Sequence, residues 1–136
     1  MDEHALLNIS PIDGRYHSKV SELSDYFSEY ALIKFRIYVE IEYFIALTEL
    51  PIAQLKDFDS DNRAKLRKIY KKFNIDECKL IKDHENKINH DVKAVEYYLK
   101  DKFEDLGFGK WKEFIHFGLT SQDINNTAIP FLFAIH

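Results

Sequence analysis

The sequence predicts an all-α fold, and three observations carry the prediction. Apolar residues recur at three- and four-residue steps through most of the chain, the period of a helix face. Only four Gly and three Pro occur in 136 residues, too few for the many turns of an all-β design. Hydrophobic residues make up 46% and charged residues 31%, a balance that supports a buried core, and eleven Phe with eight Tyr make that core aromatic. A chain of this length fits one ordinary domain.

Residues 1–16 hold Ser10-Pro11 and Asp13-Gly14, which are turn signals, and predict a loop or short extended lead-in rather than a helix. Helical periodicity begins near Ser18, with a short piece to Asp25 and a long helix from Ser28 to Leu50 that Pro51 stops. In the long helix Tyr30, Ile33, Ile37, Ile41, Phe44 and Ile45 form one apolar stripe. Phe35, Tyr38, Val39 and Tyr43 widen it around much of the cylinder. Lys34, Arg36, Glu40 and Glu42 are left for a solvated face, with Arg36 and Glu40 spaced as an i,i+4 pair.

A polar connector over 51–60 ends in Asp59-Ser60, a cap for a helix over 60–73 that turns Leu66, Ile69, Tyr70 and Phe73 inward. Its basic run (Arg63, Lys65, Arg67, Lys68, Lys71 and Lys72) reads as a solvated face, because Asp and Glu are dense on both sides. Asn74 caps or breaks, and a helix follows over about Ile75 to Lys87. Asn89 to Asp91 form a helix start or a kink, after which Val92, Val95, Tyr98 and Leu99 make a buried face. Leu106-Gly107-Phe108-Gly109 is the clearest break. Trp111 to Phe117 resume as an apolar helical turn or two, and Gly118 ends them.

The last helix starts at Thr120 or Ser121 and is apolar nearly all round, through Ile124, Ala128, Ile129, Phe131, Leu132, Phe133 and Ile135. Pro130 predicts a kink in it. With no stop signal before His136, the expectation is the front of a longer protein cut inside a buried helix.

Net charge of −4 and a pI of about 5.8 give no blanket case for nucleic acid. The single Cys78 rules out an internal disulfide and suits a reducing cytoplasm. No secretory signal pattern and no uncharged apolar run of spanning length is present. These readings give a soluble cytoplasmic protein with neither membrane nor nucleic-acid partner. His84-Glu85 with His90 misses the H-E-x-x-H spacing, so no metal is expected.

Three polar clusters stand out. Thr120 and Asp123 have the spacing of a helix N-terminal capping box, and the first turn of a helix attracts anions. The hydroxyls of Thr120 and Ser121 either serve that cap alone or add hydrogen bonds to a carboxylate or phosphate. Arg15 and Tyr16 follow a glycine, as a surface Arg beside a packed Tyr or as a fork for an anion. His90, between Asn89 and Asp91, is either satisfied locally or a donor to substrate.

Three segments, Ser10-Pro11-Ile12-Asp13-Gly14-Arg15-Tyr16, Asn89 through Tyr97 and Thr120 through Asn126, together resemble the adenylosuccinate lyase family. Ser28 through Arg36 looks like that family's first long helix. The resemblance implies a member of the fumarase/aspartase superfamily of all-α homotetramers. Residues 1–111 would be its N-terminal helical domain and 112–136 the start of its central bundle. It implies β-elimination of fumarate from adenylosuccinate, giving AMP, and from the succinylated aminoimidazole carboxamide ribotide of purine synthesis, without a cofactor. By the same resemblance Arg15 and Tyr16 hold the substrate near its phosphate, Asn89, His90 and Asp91 form a second binding segment, and Thr120 and Ser121 bind the succinyl part. The general acid, a histidine, and the general base, a serine, are implied beyond these residues, so none here is catalytic and the fragment alone is expected to be inactive. The alternatives are another lyase of the superfamily and a helical binding domain without chemistry.

Overall fold

The computed structural model describes residues 3–134, and the helices among them are α1 (Glu3–Leu7), α2 (His17–Val20), α3 (Ser24–Phe27), α4 (Glu29–Thr48), α5 (Asn62–Lys71), α6 (Ile75–Ile88), α7 (Asp91–Asp105) and α8 (Ser121–Ala134). No strand occurs among the described residues, so the all-α expectation holds for them. Ile135, expected in the last helix, lies outside the described residues.

Helix α4 is the axis on which the rest is laid. Ser28 caps it by accepting a hydrogen bond from the Ala31 N–H at 3.0 Å. Ala31, Ile33, Ile37, Ile41, Phe44, Ile45 and Leu47 are all buried, so α4 is covered on most sides. Helix α5 runs back along it: Arg63 meets Glu49, Arg67 meets Glu42, and the Tyr30 ring stacks on Phe73 at 5.5 Å. Helix α8 also runs antiparallel to α4: the turn before it meets Tyr43, Phe131 stacks on Tyr38 at 5.1 Å, and Phe133 meets Phe27, just before α4, at 5.5 Å.

Phe44 sits at the centre of an aromatic cluster, edge-on to Phe58 at 5.3 Å and to Phe103 at 4.9 Å. Phe58 in turn meets Phe108 and Trp111. Tilted and edge-to-face pairs of this kind add about 0.5–1.5 kcal/mol each beyond the area they bury. Helices α6 and α7 form an antiparallel hairpin. The Tyr98 hydroxyl donates to Glu77 at 2.5 Å, Lys102 pairs with the same carboxylate at 3.0 Å, and His84 meets Asp101 at 3.0 Å.

Four expectations need correction. Residues 1–16 are not all loop, because Glu3–Leu7 forms a single helical turn. Its support is tertiary, since it lies against the bend at Gly14, where a Cβ would come within 2.2 Å of the Ala5 carbonyl oxygen. The piece expected from Ser18 to Asp25 is broken into α2, a 3-10 turn over Ser21–Leu23, and α3. The solvated face assigned to α4 does not exist as such: Glu40 is fully buried and Arg36 is 7% exposed. Nor do those two pair with each other, for each is drawn to a different neighbour. The packing of α4 on several sides leaves its charged residues facing other helices rather than water.

Helix α8 continues through Pro130, and buries Ile124, Ala128 and Leu132. Its Ile129 and Phe133 are 43% and 59% exposed. Among the described residues, no helix is long and apolar enough to cross a membrane.

Candidate functional site

The second and third polar clusters meet, and the residue that joins them is Arg36. Its Nη2 lies 3.0 Å from Asp91 Oδ2 at the head of α7. Its Nε donates to Asn125 Oδ1 on the second turn of α8 at 3.0 Å. One buried guanidinium therefore clamps two helix starts together, using the fixed fork that distinguishes Arg from Lys.

The head of α7 is built by a two-residue joint. Asn89 closes α6 in the left-handed conformation, φ 55, and its N–H reaches the Glu85 carbonyl at 2.7 Å. His90 then caps α7: its Nδ1 accepts from the Lys93 N–H at 3.1 Å. A neutral imidazole that accepts at Nδ1 carries its proton at Nε2, so His90 offers a donor outward. Asp91 Oδ1 accepts from the Val92 N–H at 2.8 Å. Partial burial pushes the Asp91 carboxyl up, but that backbone bond and Arg36 outweigh it and hold it below the usual range. Asp91 thus stays an anion in the acid range, neutralised by Arg36.

The head of α8 follows the expected capping spacing with an altered bond pattern. The Thr120 N–H donates to Asp123 Oδ2 at 2.8 Å, and the Thr120 hydroxyl donates to the same oxygen at 3.1 Å. Thr120 is therefore occupied by its own carboxylate. The Ser121 hydroxyl is half-buried and has no hydrogen-bond partner among the described residues, which makes it the available one.

The turn that leads into α8 is fastened to α4. Tyr43 donates to the Phe117 carbonyl at 2.7 Å, and His116 Nδ1 lies 2.5 Å from Glu40 Oε1. Gly118 allows the turn with φ 75. His116 makes the same left-handed excursion at φ 62 without being glycine. Burial pushes the Glu40 carboxyl up, against the His116 hydrogen bond, which lowers it.

Arg15 and Tyr16 are not drawn into this assembly. The Arg15 guanidinium lies 5.2 Å from the centre of the Tyr16 ring, and both line an open hollow of about 520 Å³ with Ala5, Leu6, Asn8 and Pro11. The loop is knotted locally, with Asn8 donating to the Asp13 carbonyl at 2.8 Å and the Gly14 N–H to Ser10 at 3.2 Å. Both side chains face solvent, free to meet a ligand anion.

The sequence places Arg36 and Glu40 on a solvated face and gives no site role to Asn125 or His116. The signal for the first two lay in their neighbours: Phe35, Ile37, Val39 and Ile41 surround them, and a helix so covered has little room for a wet face. No local pattern points to Asn125 or His116.

With this geometry in hand, comparison with known proteins assigns the chain. A family profile described as a lyase matches residues 14–135. The adenylosuccinate lyase of Dictyostelium discoideum is 55% identical over 131 residues, covering 92% of this chain and 28% of that protein. The adenylosuccinate lyase of Legionella pneumophila strain Corby is 49% identical over 126 residues, covering 91% of this chain and 28% of that protein. That of Escherichia coli K12 is 43% identical over 130 residues, covering 94% of this chain and 28% of that protein. The chain thus spans a little over a quarter of the length of these curated relatives. It belongs to the lyase family, and the relatives it resembles are adenylosuccinate lyases.

Proposed function

We propose that this chain forms part of an adenylosuccinate lyase, an enzyme of purine biosynthesis. Its substrates are adenylosuccinate and the succinylated aminoimidazole carboxamide ribotide, each of which loses fumarate by β-elimination of a carbon–nitrogen bond. The observation that carries this reading is the Arg36 clamp. It sets two helix starts side by side, one presenting the His90 ring and the other the Ser121 hydroxyl. Both are donors, and helix N-termini favour anions.

In this reading Arg15 and Tyr16 hold the nucleotide phosphate, Asn89, His90 and Asp91 form the second binding segment, and the Thr120–Ser121 helix start binds the succinyl part, with Ser121 donating to its carboxylate while Thr120 is held by Asp123. A base removes the proton next to a carboxylate, the aci-carboxylate gains charge, and an acid protonates the departing nitrogen. The donors contributed here stabilise that added charge, whereas the acid and base come from other parts of the protein. The working protein is a cytoplasmic homotetramer.

The test is fumarate release by the full-length protein. With adenylosuccinate, steady release is expected, and Ser121→Ala and His90→Ala lower kcat/KM without unfolding. Removing one preorganised donor to developing charge costs about 10²–10³ in rate. No fumarate from the wild type, or wild-type kinetics in both variants, would refute the assignment.

A further inference from the structure

The cations of α5 divide between two faces with different fates. Arg63 and Arg67 turn toward α4 and are answered there by Glu49 and Glu42. Lys65, Lys68 and Lys72 are exposed on another face and pair with no carboxylate among the described residues. Steps of three and four residues stack them in one row about 10 Å long. Like charges at that spacing repel, and the fold leaves the repulsion unanswered. The last carbonyls of α5 favour a cation at Lys72, yet Lys65 stands about two turns back, beyond their reach.

The row forms one wall of an open hollow of about 400 Å³ between α5 and the α6–α7 hairpin. Lys102 of α7 adds a fourth cation, and the carboxylates of the lining are Glu77 and Asp105. Positive charge is therefore in excess by two here, in a chain whose net charge is −4. Glu77 is already engaged, accepting from the Tyr98 hydroxyl and pairing with Lys102 at 3.0 Å. Asp105, where α7 ends, is the opposing charge left without a cationic partner among the described residues. Asn74 spends its side-chain oxygen on the Glu77 N–H at 3.0 Å, which leaves its NH2 as a neutral donor. Ile69 and Leu106, with the Tyr98 ring, make the rest of the lining apolar.

We propose that this hollow binds a nucleoside polyphosphate, with the lysine row along the phosphate chain and the apolar stretch against the base. A lone phosphate or carboxylate meets one or two of the lysines, whereas a chain of phosphates follows the row and answers all three. The row by itself would suit any extended polyanion, nucleic acid included. The concave, partly apolar lining favours a small molecule instead, and the volume falls within the range of about 300–1,000 Å³ common to such sites. The hollow lies toward the far end of α7 from His90 and Asp91. Lys102 is eleven positions from Asp91, about 16 Å by helix rise, so a ligand here touches neither of them.

Titration calorimetry on the full-length protein supplies the test, with ATP, inorganic tripolyphosphate and inorganic phosphate as probes. Saturable binding is expected in that order of affinity, tightest first. Combining Lys65→Gln, Lys68→Gln and Lys72→Gln should weaken ATP about 20–30-fold, at roughly threefold for each exposed ion pair lost. All three side chains are exposed, so the combined variant should fold, with a urea midpoint no lower than that of the wild type. Lysine acylation read by mass spectrometry repeats the test without a variant: ATP should shield Lys65, Lys68 and Lys72 but not the exposed Lys56. Binding of ATP at the heads of α7 and α8 would survive in the triple variant. Unchanged ATP affinity in that variant, or tripolyphosphate bound as tightly as ATP, would therefore overturn the proposal. So would equal acylation of the three lysines with and without ATP, or single-stranded RNA shielding them at lower concentration than ATP does.

Discussion

Replacing Arg36 with Met is the perturbation that bears most directly on the assembly. The side chain is 8% exposed and makes two charge-assisted contacts, to Asp91 at 3.0 Å and to Asn125 at 3.0 Å. A hydrogen bond to a charged group contributes about 1.5–3 kcal/mol. The Asn125 contact deserves that range. The Asp91 contact is discounted to about 1 kcal/mol, because the Asp91 side chain is 50% exposed and water replaces part of the lost attraction. The expected cost of Arg36→Met is about 2.5–4 kcal/mol, and of Arg36→Lys, which keeps the charge but not the fork, about half that. Urea unfolding followed by the fluorescence of Trp111, the sole tryptophan, reads both. The pH dependence adds a check. Asp91 has a depressed folded value, so its stabilisation is present above its unfolded value near 3.8 and is lost as pH falls through the folded one. The gap between wild type and Arg36→Met should therefore narrow in acid below about pH 4. A cost below about 0.5 kcal/mol, equal costs for Met and Lys, or a gap that widens in acid would refute the clamp.

Three other outcomes are expected. Gly14→Ala puts a Cβ 2.2 Å from the Ala5 carbonyl oxygen, so α1 must leave the bend. Protease cleavage before residue 17 should accelerate, with the rest of the fold intact. Glu42 is held below its ordinary value by the Arg67 hydrogen bond, its largest influence, with Tyr70 adding a second. Its contribution is full above about pH 5 and is lost as pH falls through the depressed value, so Glu42→Gln should flatten the acid limb of stability against pH. Phe44→Ala empties the centre of the aromatic cluster and should cost about 3–5 kcal/mol in the same urea assay.

The helices were legible because their signals are local. Asn74 caps α6 through the Glu77 N–H at 3.0 Å, as its place before an apolar-periodic run suggests, and Val92, Val95, Tyr98 and Leu99 are buried at the expected spacing. The basic run of α5 is largely a surface, apart from Arg63 and Arg67, which reach back to α4. Arg36 and Glu40 depart from the expected solvated face because charge alone does not mark a wet surface on a helix covered on most sides. Their partners lie 55 and 76 positions away in sequence, at Asp91 and His116, and no periodicity argument reports contacts of that separation. Of the candidate clusters, the heads of α7 and α8 were visible as helix starts, but their meeting depends on Arg36. The Arg15–Tyr16 pair could be located from its turn signals, although nothing local says which surface it faces.

The joint between α6 and α7 has no slack. Asn89 ends one helix and His90 begins the next, with no spacer residue between them. One inserted residue would separate the Asn89 helix end from the His90 cap and pull the head of α7 away from its contact with Arg36. Length at this point is consequently as constrained as chemistry. In this chain added length meets less resistance in the connector after Pro51 or around Gly107, where a side chain would meet nothing within 4 Å.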